Sequence, residues 1–64
     1  MDLWTEILSR DPVRITAAFR QLTRVEKISV RAHLIKMTSE DGWHLEQVRS
    51  AAISLEALKD LPDD

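Results

Sequence analysis

The chain predicts an all-α fold: a small compact bundle of four helices, or three if the second and third run together. Three observations carry this. Apolar residues recur at three- and four-residue intervals along almost the whole length, with no β-branched alternation. One glycine and two prolines leave little room for hairpins. Asp11-Pro12 and Thr23-Arg24-Val25-Glu26 both read as helix starts. A length of 64 residues allows one domain, 1–64.

Leu3, Trp4, Ile7 and Leu8 form an i, i+3/i+4 patch on a short first helix ending around Ser9-Arg10. Asp11 is then an N-cap, with Pro12 at the first helical position, where its missing N–H costs nothing. The second helix runs over 12–22, with Ile15, Ala18, Phe19 and Leu22 on one face. The Thr23 hydroxyl and the Glu26 carboxylate make a capping box, which implies a corner between helices two and three.

The third helix, 23–38, is apolar on two faces. At about 100° per residue, Val25, Ile28, Ala32 and Ile35 fall in one stripe, and Val30, Leu34 and Met37 fall on roughly the opposite side. A surface helix normally carries one stripe, so the second cover comes from the other helices or from another copy of the chain. Ser39 to Gly42 reads as a loop, with Ser39 or Asp41 capping a fourth helix over 43–61 that Pro62 stops. Its main stripe is Leu45, Val48, Ala51, Ala52, Leu55 and Leu58, with Ile53, Ala57 and Leu61 on a weaker side. Helices three and four are expected to form an antiparallel hairpin crossed by the two shorter ones.

A chain this short buries only about 60% of its unfolded surface, so stability is marginal without a staple. No cysteine is present, which excludes disulfides and cysteine-based metal sites. Self-association gains weight accordingly. The expectation is a homodimer, with a candidate interface of Val30, Leu34 and Met37 together with Trp43, Ile53 and Leu61.

Charge is unevenly placed. Residues 10–36 hold seven bases against two acids, a net of +5, and residues 40–64 hold seven acids against two bases, a net of −5. Arg20, Arg24, Lys27 and Arg31 line up as a candidate basic ridge that could follow a phosphate backbone. Against that reading stand the net charge of −2, the absence of interleaved aromatic residues and the lack of helix-turn-helix spacing. In so small a domain the acidic half is expected to lie against these arginines.

No phosphate-cradling glycine loop, nucleophile elbow or paired-carboxylate cleft can be assembled from this sequence, so no catalytic residue is assigned and an enzyme is not expected. His44 with Glu40 and Asp41 is at most a weak metal group and reads better as a solvated helix start. His33 reads as a packing residue or a donor to a carbonyl, and Glu46 and Glu56 as partners of Arg49 and Lys59 at i+3. No cofactor is expected. No run approaches the ~20 apolar residues that span a bilayer, and Asp2 and Glu6 sit where a signal peptide needs positive charge, so a cytoplasmic location is expected. The function these observations support is a small non-enzymatic interaction or regulatory protein acting through helix–helix contacts. A nucleic-acid-binding accessory protein is the alternative.

Overall fold

A computed structural model describes residues 2–63. It contains four helices: α1 (Leu3–Ile7), α2 (Pro12–Arg20), α3 (Arg24–Ser39) and α4 (Leu45–Leu58), and no strand among the described residues. None is long and apolar enough to cross a membrane.

The helix starts follow local chemistry. The Asp11 carboxylate accepts from the Val13 N–H at 3.0 Å, with Pro12 in the first turn. At the corner, the Glu26 N–H donates to the Thr23 hydroxyl at 3.2 Å while the Thr23 N–H donates to the Glu26 carboxylate at 2.9 Å. Helices two and three are thus separate. Replacing Thr23 by alanine removes one of these bonds and is expected to cost about 1 kcal/mol, roughly 4–8 °C in melting temperature for a domain of this size. Thermal denaturation followed by circular dichroism reads it directly.

The fourth helix starts later than expected. His44, rather than Ser39 or Asp41, is its N-cap: the His44 N–H donates to the Gln47 side chain at 3.0 Å, and the His44 ring accepts from the Glu46 N–H at 3.3 Å. A ring nitrogen can substitute here for the usual hydroxyl or carboxylate oxygen. Gly42 turns the preceding loop at φ 96°, a conformation that side chains disfavour. The helix also ends at Leu58, before Pro62 acts.

The core consists of Ile7, Ile15, Phe19, Val30, Leu34, Met37, Ala51 and Leu58, with Leu3, Trp4, Leu22, Trp43, Leu55 and Leu61 packed around it. Joined by the loop after Ser39, α3 and α4 run antiparallel, and Arg31 in mid-α3 reaches the carbonyls of Leu58 and Leu61 at the far end of α4. The hairpin is therefore the backbone of the fold. Helix α1 is only five residues long and cannot hold itself together. It is kept in place by fully buried Ile7 and by a two-pronged Arg14–Glu6 pair at 2.7 and 2.9 Å.

The face of α4 differs from the one its apolar spacing suggests. Leu45 and Ala52 are exposed, and Ser54 is fully buried. The small Ser54 side chain allows close packing, yet its hydroxyl has no hydrogen-bond partner among the described residues. An unsatisfied buried hydroxyl is destabilising, and alanine has the higher helix propensity. Ser54→Ala is expected to raise stability by about 1 kcal/mol; urea denaturation should show a higher midpoint at unchanged slope.

Candidate interaction surface

On α3 the stripe expected at an interface is the one the fold buries. The buried side of this helix is Lys27, Val30, Leu34 and Met37. Val30, Leu34 and Met37 are already covered within one chain, so they are core and not an interface between copies. The stripe left outside is the other one: Val25, Ile28 and Ile35 are 76%, 46% and 51% exposed, and Ala32 is exposed between them. Packing against the other helices sets the rotation of α3 about its axis, and both stripes satisfied the sequence equally well.

The exposed residues sit at 25, 28, 32 and 35, the three-four-three spacing of a coiled-coil seam. Arg24 and Arg31 flank this seam on one side, Ser29 and Lys36 on the other. Beside it lies a shallow recess of about 220 Å³ lined by Ser29, Ala32, His33 and Lys36. That i, i+3, i+4, i+7 set is the kind of hole that accepts a side chain from a neighbouring helix.

Of the remaining candidate interface residues, Trp43 and Leu61 are half-buried against the core. Ile53 borders an open apolar groove of about 330 Å³ with Pro12, Ala52, Glu56 and Ala57. His33 is exposed and packs between two indoles, its ring centroid 5.0 Å from that of Trp4 and 5.7 Å from that of Trp43. The Trp43 N–H points to the Glu40 carboxylate at 3.5 Å.

The basic ridge does not survive folding as one surface. Lys27 is only 7% exposed, with its ammonium 5.8 Å from the centre of the Phe19 ring. Arg31 lies 5.1 Å over the same ring. Its guanidinium donates to the carboxylate of Asp63 at 2.9 Å and to the carbonyls of Leu58 and Leu61 at 3.1 and 2.9 Å, closing the C-terminal end of α4. A guanidinium has five donors in a fork, which suits it to several acceptors at once. Arg20 and Arg24 remain exposed.

Other charged groups serve local structure. The Arg14 guanidinium holds the Glu6 carboxyl below its ordinary range, and the Thr23 backbone N–H does the same for Glu26. Both acids therefore support the fold above the usual carboxylate range and stop doing so on acidification through their lowered values. Arg10 sits at φ 66° and reaches α4, donating to the Ser50 hydroxyl at 3.0 Å and the Glu46 carbonyl at 3.1 Å. Its left-handed backbone was not signalled by the sequence. Glu40, Asp41 and His44 do not converge as a metal group among the described residues.

Compared with known protein families, curated proteins and solved structures, the chain has no match.

Proposed function

We propose that this chain is a small non-enzymatic interaction or regulatory protein of the cytoplasm that works through helix–helix contact and self-associates. The observation that supports it is the exposed seam of Val25, Ile28, Ala32 and Ile35 on a helix whose opposite face already fills the core. Exposed apolar side chains scattered singly are ordinary. Four in one coiled-coil register, on one helix, form a surface that another helix can cover. The basic-ridge alternative draws less support, because Lys27 and Arg31 are spent on Phe19, Asp63 and the end of α4.

Sedimentation equilibrium from low to high micromolar concentration tests the reading. The apparent mass should climb from 7.4 kDa towards twice that value, and Ile28→Glu should hold the chain at the monomer mass. A wild-type chain that stays monomeric throughout overturns self-association. Tight, salt-sensitive binding to duplex DNA at physiological salt would instead favour the nucleic-acid alternative.

A further inference from the structure

We infer that the seam of α3 is covered by a second copy of α3 running antiparallel, about a two-fold axis level with residue 30. The inference rests on the self-association proposed above and specifies its geometry. The three-four-three spacing reads the same in both directions. Antiparallel about residue 30, Ile28 faces Ala32 of the other copy and Val25 faces Ile35, so the space left by the alanine is filled by an isoleucine. A symmetric interface requires this self-complementarity. In a parallel pair, Ala32 would face Ala32 and leave a gap, because like positions meet in every layer.

Charge favours the same orientation. Parallel helices bring the flank holding Arg31 against the flank holding Lys36, setting like charges together twice. The antiparallel arrangement brings Arg31 to Arg31, and each already carries its own Asp63 carboxylate at 2.9 Å. Each guanidinium is also turned onto the Leu58 and Leu61 carbonyls of its own chain, so the two do not meet as bare like charges. On the opposite flank Ser29 meets Ser29, which is small enough for close approach. The helix dipoles also oppose one another. A seam of three turns covers less than the roughly 1,200 Å² typical of stable interfaces, so the association is weak and rises with concentration.

The chain contains no cysteine, which makes disulfide trapping unambiguous. Ile28→Cys and Ala32→Cys chains, each checked for native helix content, are mixed in equal amounts, oxidised mildly, and their dimers separated by intact mass. Disulfides form only between Cα atoms within about 7 Å, so the expected product is the mixed 28–32 dimer, several-fold in excess over either like-with-like dimer. Val13→Cys, on the exposed side of α2, serves as the collision control and should cross-link several-fold less. Predominant 28–28 and 32–32 dimers would overturn the antiparallel register while leaving self-association standing. Cross-linking no better than the Val13 control would overturn the seam contact, and sedimentation of the unmodified chain then separates that result from failure of self-association itself.

Discussion

Replacing Phe19 by alanine is expected to cost this protein a large share of its stability. Phe19 is fully buried at the centre of the core, and its ring also underlies the Lys27 ammonium and the Arg31 guanidinium. Truncating a buried phenylalanine costs about 3–5 kcal/mol. A chain of this length has a total stability of roughly 3–10 kcal/mol at usual per-residue values, so the loss takes a third of it at the least. The melting temperature should fall by roughly 12–40 °C. The effect reaches the charged groups as well, since without the ring Lys27 stands over a cavity and Arg31 keeps only its oxygen partners. A loss below about 0.5 kcal/mol, the range of ordinary surface sites, would mean that α2 does not pack as described.

The second large effect separates the two faces of α3. Leu34→Glu places a carboxylate at a fully buried position, where desolvation of an unpaired charge costs several kcal/mol. It is expected to unfold the chain. Ile28→Glu, six residues away at a position 46% exposed, should change monomer stability by no more than about 0.5 kcal/mol and act on self-association alone. Urea denaturation and sedimentation on the same samples distinguish the pair. If Leu34→Glu stayed folded and became monomeric, the stripe of Val30, Leu34 and Met37 would be the interface after all and the rotation of α3 would be reversed.

The candidate surface was half legible in the sequence. Two apolar stripes on one helix could be read from spacing alone, because periodicity depends only on residue order and helix pitch. Their assignment to inside and outside could not, because Val25, Ile28, Ala32 and Ile35 are as apolar as Val30, Leu34 and Met37. Lys27 was misleading for a related reason. Its charge placed it on the ridge, whereas its long aliphatic stem lets it lie along the core beside Phe19. The Trp4–His33–Trp43 cluster joins residues from α1, α3 and the loop before α4, a neighbourhood that no local pattern announces. Pairing of the basic and acidic halves was legible in kind. Its partners were not, since the Arg31–Asp63 contact spans 32 residues.

By itself the sequence determined what depends on near neighbours along the chain: helices rather than strands, the cap at Asp11, the capping box at Thr23 and Glu26, the loop at Gly42 and the corner that keeps α2 and α3 apart. These are settled within one or two turns of backbone, by hydrogen bonds between residues two to four apart and by allowed dihedral angles. Only the tertiary structure decided which stripe of α3 faces inward and that Arg31 closes the far end of α4. Each of those depends on the angle at which one helix meets another, which local hydrogen bonds do not constrain. Packing does: an interior close-packed to the density of an organic crystal admits few rotations of a helix about its axis, and the one adopted here leaves Val25, Ile28, Ala32 and Ile35 on the outside.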